Sequence, residues 1–278
     1  QTLPYPVPGV TITASGALEG SNIWSGKVLV VGDVTVHGSL TIQGGTEIVF
    51  DPLHDAMAGG VDKNRSELIV DGGVLEVAGT TSQPVLFTSA AVNKDKGQWY
   101  GIRVVNGDVT LRYFTVEYAT AGLRFEDSTT RFQTYVVEHG TLRYCNTGFQ
   151  QTTGGDAVDS LSLSDMHVVR NGTGMDIYGS LTLDHGESSS NDSTGIGGRY
   201  GNLTLTTCSV TNNGGYGLNV DAKNVVLMDS EFKRNTGRGV FCQGYNGQSR
   251  LEMRNCNIRE NSYGVYLYSS FSAVVMVS

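Results

Sequence analysis

The sequence predicts an all-β chain wound as a right-handed parallel β-helix, and three observations predict it. Glycine supplies 37 of the 278 residues, against roughly 7% in an average domain, among Ile, Val, Thr, Tyr and Phe spread along the whole chain. All five prolines (Pro4, Pro6, Pro8, Pro52 and Pro84) lie before residue 85, so the later backbone keeps every N–H for a hydrogen-bonded ladder. The second half carries an internal repeat in which apolar residues alternate at i, i+2. Such a composition excludes a disordered chain, a coiled coil and a helical bundle.

The repeat sets the architecture. Leu205, Cys208, Val210, Asn213, Gly217, Leu218 and Val220 are matched by Leu227, Ser230, Phe232, Asn235, Gly239, Val240 and Cys242. They are matched again by Met253, Cys256, Ile258, Asn261, Gly264, Val265 and Leu267. Leu163, Met166, Val168, Asn171 and Gly174 form an upstream copy, and Leu183, Gly186, Ser188, Asn191 and Gly195 another. Copies begin at 111, 132, 163, 183, 205, 227 and 253, and the long interval before 163 predicts a loop inserted over 145–160. A unit this small cannot bury its own apolar face, so units stack and share one core column. About 22 residues and three short strands per coil give three sheets, with coils ~4.8 Å apart; the whole chain then makes about twelve coils. Asn171, Asn191, Asn213, Asn235 and Asn261 keep step with the repeat. They are expected to take the left-handed conformation at one corner and to bond the corners above and below.

The remaining elements follow in order. Residues 1–26, with three of the prolines and Trp24, are expected to cap the first coil. Val34–Val36, Leu40–Ile42, Ile48–Phe50, Leu68–Val70 and Val85–Phe87 alternate as strands between glycine-rich turns. Residues 271–278 begin a last strand with no cap after it, leaving hydrogen-bonding edges for association. The chain reads as a single domain, 1–278.

Four stretches carry a family resemblance: LTIQGGTEIVF at 40–50, GTTSQPVLFTSA at 79–90, GQWYGIRV at 97–104 and LRYFTVEYATAGL at 111–123. Together they resemble bacterial cell-surface right-handed parallel β-helix repeat proteins, over residues 30–270. The resemblance implies a secreted or cell-surface location, as does a chain that starts at Gln1. It implies little about activity, because such solenoids serve as adhesins, structural rods, sugar binders and polysaccharide-cleaving enzymes.

Charge and spacing narrow the chemistry. Nineteen Lys and Arg against 27 Asp and Glu leave a formal charge of −8, which excludes nucleic acid as the expected partner. No apolar run approaches the ~18 residues of a membrane span, so no membrane insertion is expected. Cys208 and Cys256 share an inward column two coils, or ~10 Å, apart, beyond the ~7 Å reach of a disulfide. Buried free thiols are expected, and their spacing matches no zinc site.

Two constellations could carry function. Asp165, His167, Asp184, His185 and Glu187 fall around one corner of two adjacent coils, where carboxylates and imidazoles could move protons or hold calcium. No other cofactor is expected. The outward column reading Arg124, Asp176, Gly197, Asn219, Phe241, Tyr266 places Phe241 and Tyr266 on neighbouring coils, with Tyr245 and Tyr268 close by. Tyr216 and Tyr263 stand just before their glycines. Adjacent aromatic faces make a platform for sugar rings or for another protein. Asp51-Pro52-Leu53-His54-Asp55 resembles the Asp-Pro-His-Asp motif of alginate epimerases, interrupted by Leu53, at a strand end where Asp-Pro is also ordinary turn chemistry. His37 and His139 fall in no column. The leading expectation is an extracellular structural or adhesion rod that binds a polysaccharide or cell-surface glycan through the aromatic strip. A polysaccharide lyase or epimerase using the acidic corner is the rival, and a filament subunit joined end to end through the C-terminal coil is a third.

Overall fold

The structure is a computed structural model and describes residues 7–126, 134–152, 161–244, 249–269 and 271–277. Every regular element among the described residues is a strand, and the strands pair in parallel. The chain divides into two compact units, residues 1–146 and 147–278.

The first unit holds β1 (Ile12–Leu18), β2 (Ser21–Trp24), β3 (Lys27–Val36), β4 (Ser39–Gln43), β5 (Glu47–Phe50), β6 (Glu67–Ala78), β7 (Val85–Ser89), β8 (Gly101–Glu117), β9 (Ala121–Phe125) and β10 (Tyr135–Arg143). β1 registers Ile12 on Val28 and β2 registers Trp24 on Ile42. Residues 12–24 are therefore already a coil with Trp24 buried, and the expected cap over 1–26 is corrected accordingly; residues 1–6 lie outside the described residues. Leu68 registers on Ile102, a step of 102 − 68 = 34 residues, and Ile48 on Phe87, a step of 39. The expected period of 22 does not hold here, because segments such as 51–66 and 90–100 lie between consecutive strands. The chain accordingly holds fewer coils than twelve. At the centre of this unit Trp99 stacks on Phe50 with ring centroids 3.7 Å apart, and its indole N–H donates to the Glu117 carbonyl at 2.9 Å.

The second unit keeps the repeat. One succession of parallel pairings runs through β13 (His167–Val169), β15 (Glu187–Ser189), β17 (Ser209–Thr211), β20 (Glu231–Lys233) and β23 (Asn257–Arg259), with steps of 20, 22, 22 and 26 residues. A second joins β11 (Thr147–Gln151), β14 (Thr173–Asp184), β16 (Ile196–Thr206), β18 (Leu218–Ala222), β21 (Arg238–Gly244) and β24 (Tyr263–Tyr268). A third joins β12 (Leu161–Ser164), the later halves of β14 and β16, β19 (Asn224–Met228), β22 (Ser249–Arg254) and β25 (Phe271–Val277). The loop expected over 145–160 is corrected at 147–151. That segment is β11, registered on β14 with Phe149 turned inward and fully buried, and residues 153–160 lie outside the described residues. β25 pairs with β22 along one edge, and Val274, Met276 and Val277 are exposed.

The asparagine column forms a continuous ladder. Asn191 Oδ1 accepts the Asn171 N–H at 2.9 Å, Asn213 Oδ1 that of Asn191 at 3.1 Å, and Asn235 Oδ1 that of Asn213 at 3.1 Å. The expectation that these asparagines adopt the left-handed conformation is corrected. The residue before each one does so, at Arg170, Ser190, Asn212, Arg234 and Glu260, and that turn aims the Asn side chain into the coil, where Asn171 and Asn213 are fully buried. The repeat glycines answer the same amides. A Cβ on Gly195, Gly217 or Gly239 would stand 2.6, 2.7 or 2.6 Å from the Asn Nδ2 of the next coil, so nothing larger than glycine fits.

Candidate functional site

The face built by β14, β16, β18, β21 and β24 positions the candidate site. Alternation sends Met175, Ile177, Ile196, Leu218, Val220, Val240 and Cys242 into the core, which leaves the residues between them facing out. Register then builds columns. Asp176, Gly197, Asn219, Phe241 and Tyr266 align on successive coils, and so do Tyr178, Arg199, Asp221, Gln243 and Tyr268.

A groove of about 580 Å³ lies on this face, lined among others by Asp176, Gly197, Arg199, Asn219, Asp221, Phe241 and Gln243. Gly197 is one of the residues that line it. A Cβ there would meet only the Met175 carbonyl at 3.6 Å, the Asn219 carbonyl at 3.9 Å and Thr194 Cγ2 at 4.0 Å, all ordinary contact distances. Unlike the repeat glycines, Gly197 is not demanded by packing, and its missing side chain leaves room within the groove. Along the rim, the Arg199 guanidinium lies over the Tyr178 ring at 5.6 Å. Asp221 keeps Oδ1 buried without a hydrogen-bond partner.

The aromatic strip is assembled, with one correction. Phe241 and Tyr266 are neighbours with centroids 5.7 Å apart and planes tilted by 42°, and Tyr216 stacks on Phe241 at 5.8 Å. The ring faces are not a bare platform, because the Arg238 guanidinium lies 3.9 Å from the Tyr266 centroid and 4.7 Å from that of Phe241. Tyr216 and Tyr263 surround the same cation at 5.7 and 5.9 Å. Arg238 carries no carboxylate partner among the described residues, so ring quadrupoles hold its charge. Tyr263, Tyr266 and Tyr268 remain exposed; Tyr245 lies outside the described residues.

The acidic corner resolves into two histidine–carboxylate contacts. His167 Nδ1 sits 2.9 Å from Glu187 Oε2, and His185 Nδ1 3.0 Å from Asp184 Oδ2. Partial burial pushes the Glu187 carboxyl up, but hydrogen bonds from Ser189 and His167 outweigh it and hold the group below its ordinary value. Asp165 and His185 occupy left-handed turn positions. Among the described residues no three His, Cys, Asp or Glu side chains gather as a metal site. His139 does belong to a column after all: it shares the left-handed corner with Tyr113 and stacks on its ring at 4.4 Å. No disulfide joins the four cysteines; Cys145, Cys208 and Cys242 are buried and Cys256 is half-buried.

A second charged cluster, in the first unit, escaped the sequence reading. Asp55 accepts the N–H groups of Asp33, Met57 and Gly59 at 3.0, 2.9 and 2.9 Å. Glu67 Oε1 accepts those of Val61 and Asp62, both at 2.9 Å. Arg103 bridges Glu67 at 2.5 Å and Glu126 at 2.6 Å. Burial, then the charges of Asp55 and Glu67, push the Asp33 carboxyl up to about 7. The cluster ties down the 51–66 segment, including Asp51, whose carboxylate lies 2.8 Å from His54 Nδ1. Uneven separations hid this proximity, 22 residues from Asp33 to Asp55, 34 from Asp33 to Glu67 and 36 from Glu67 to Arg103, because no single repeat predicts them all.

A family model described as the right handed beta helix region matches residues 91–277, and one described as a pectate-lyase like beta helix domain matches residues 25–112. No curated protein matches the sequence. Similar solved structures include a double mutant of the periplasmic alginate epimerase AlgG, at TM-score 0.58 and 12% identity over 91% of this chain and 72% of that one. The unmutated epimerase gives a TM-score of 0.53 at 10% identity over 92% and 75%. At such identities the likeness is one of fold.

Proposed function

Because the chain belongs to the right-handed β-helix family, we propose that it is an exported polysaccharide-binding module whose ligand lies along the outward face of β14, β16, β18, β21 and β24. The observation that carries this reading is the groove over Gly197, continuous through Phe241 with the aromatic cluster around Arg238. Its volume is within the ~300–1,000 Å³ usual for ligand sites. Sugars present one apolar ring face and a girdle of hydroxyls. Tyr266 and Phe241 suit the first, and Asp176, Asn219, Asp221 and Gln243 suit the second. Regularly stacked parallel strands also suit a structural or adhesion role at a cell surface, and the periplasmic location named for the epimerase supports export.

Affinity electrophoresis against a polysaccharide panel tests the reading. Arg238→Ala, which uncouples the aromatic cluster, and Tyr266→Ala should each weaken retention by about tenfold, the loss of a ~1.4 kcal/mol contact. No retention by any polysaccharide, or retention indifferent to both substitutions, would overturn it. A second reading, catalysis on the polysaccharide, is favoured by the Asp51–His54 pair inside the epimerase-like segment and by the His167–Glu187 pair. Proton NMR of alginate incubated with the protein would show epimerised residues or unsaturated ends if that reading holds, and unchanged spectra if it does not.

A further inference from the structure

We propose that the groove over Gly197 takes an uncharged sugar unit and reads it through its hydroxyl groups; this rests on the polysaccharide reading above and specifies its substrate class. The charged groups lining the groove are Asp176, Asp221 and Arg199, a sum of 1 − 2 = −1 within a chain of formal charge −8. A uronate or sulfate group placed on Gly197 would stand between two carboxylates with one guanidinium to answer it, and that guanidinium already lies over the Tyr178 ring. Arg238, the other cation on this face, is outside the groove lining and is held among four rings.

Neutral hydroxyls meet a different environment. Ionised carboxylates accept hydrogen bonds and donate none. Asp176 and Asp221 in the lining supply carboxylate acceptors for an O–H brought against them. Thr173, Thr194 and Gln243 in the lining add groups that both donate and accept. A metal-bridged acid sugar would need several ligands converging, and among the described residues no three acidic, His or Cys side chains do so. Gly197 sets the fit, since the sugar ring occupies the space its side chain would fill. Sites built from hydrogen-bonding groups discriminate strongly among ligands because a mismatch leaves buried polar atoms unpaired.

Isothermal titration of the full chain with a neutral galactomannan, a neutral β-glucan and polygalacturonate tests the inference, at about 20 mM and about 500 mM NaCl and with and without added calcium. The expected result is binding of a neutral polymer whose affinity changes less than about twofold with salt, since no ion pair is screened. Gly197→Tyr should abolish that binding with an unchanged circular dichroism spectrum, and Asp221→Asn should weaken it by about tenfold, as for one lost charge-assisted bond. Binding of polygalacturonate alone, with affinity falling steeply in salt or requiring calcium, overturns the uncharged-sugar inference while leaving polysaccharide binding in place. Binding of a neutral polymer that Gly197→Tyr leaves intact overturns the placement of the sugar in this groove. Failure of all three polymers and of the wider panel overturns the functional reading itself.

Discussion

Replacing Asn213 by Ala tests whether the asparagine ladder holds the coils together. Asn213 is fully buried. Its Oδ1 accepts from the Asn191 backbone N–H at 3.1 Å and from Asn191 Nδ2 at 2.9 Å, and its Nδ2 donates to the Ser188 carbonyl at 3.0 Å and Asn235 Oδ1 at 2.9 Å. After substitution Asn191 Nδ2 keeps the Val168 carbonyl and the Ser188 hydroxyl, and Asn235 Oδ1 keeps the Asn213 backbone N–H. The Asn191 N–H, in a residue only 2% exposed, loses its side-chain acceptor. A buried donor without an acceptor costs roughly 2 kcal/mol and each of the two lost donations about 1 kcal/mol, a total near ~4 kcal/mol. Asn261 offers the internal control. It accepts from Asn235 N at 2.9 Å and Nδ2 at 3.0 Å, but it is half-buried, so water replaces much of what Asn261→Ala removes and the cost falls to about 1 kcal/mol. Urea unfolding followed by circular dichroism gives the free energies, and amide exchange at Asn191 locates the effect. Equal losses for the two variants, or a loss below ~1 kcal/mol for Asn213→Ala, would refute the ladder as a stabilising element.

The charged cluster of the first unit and the thiols give three further expectations. Arg103→Met leaves Glu67, fully buried, without its cation and should cost about 3–5 kcal/mol, read by fluorescence of Trp24 and Trp99; a change under ~1 kcal/mol would show that the pair is not needed. Asp33, whose carboxyl burial raises to about 7, binds a proton more tightly folded than unfolded. Its contribution is therefore whole below the ordinary carboxylate range and is lost as pH rises toward 7. Asp33→Asn should flatten the fall in stability between about pH 4 and about pH 7, and identical pH profiles for the two proteins would contradict this. Burial pushes the Cys145 and Cys242 thiols up to about 12 and Cys208 up to about 11. A thiol reagent at about pH 8 should therefore label the half-buried Cys256 first, as peptide mapping would show, and simultaneous labelling of all four would refute the burial.

Where a side chain answers to the repeat, its environment could be read from its neighbours one period away. The inward columns, the Asn ladder and the alignment of Phe241 on Tyr266 all follow from that, because parallel coils in register place residue i beside its equivalent in the next coil. The same reading placed the asparagines one residue off in backbone conformation, since a sequence column shows which residue recurs but not which of two neighbours turns. Arg238 entered the aromatic cluster unannounced, because its column alternates Thr, Tyr and Arg and only packed coordinates bring four rings around one cation. The Asp33, Asp55, Glu67 and Arg103 cluster was invisible for a different reason: its members are separated by 22, 34 and 36 residues across a segment of irregular backbone, so no one period brings them together. Gly197 shows the division most plainly. Among 37 glycines its letter is unremarkable, and only the ordinary contact distances that a Cβ there would meet separate this groove-lining glycine from those that packing requires. Sequence by itself determined the winding, the parallel register and the contents of the core, because those depend on periodic burial. The tertiary structure decided which outward residues meet, because side-chain reach and loop length carry no period.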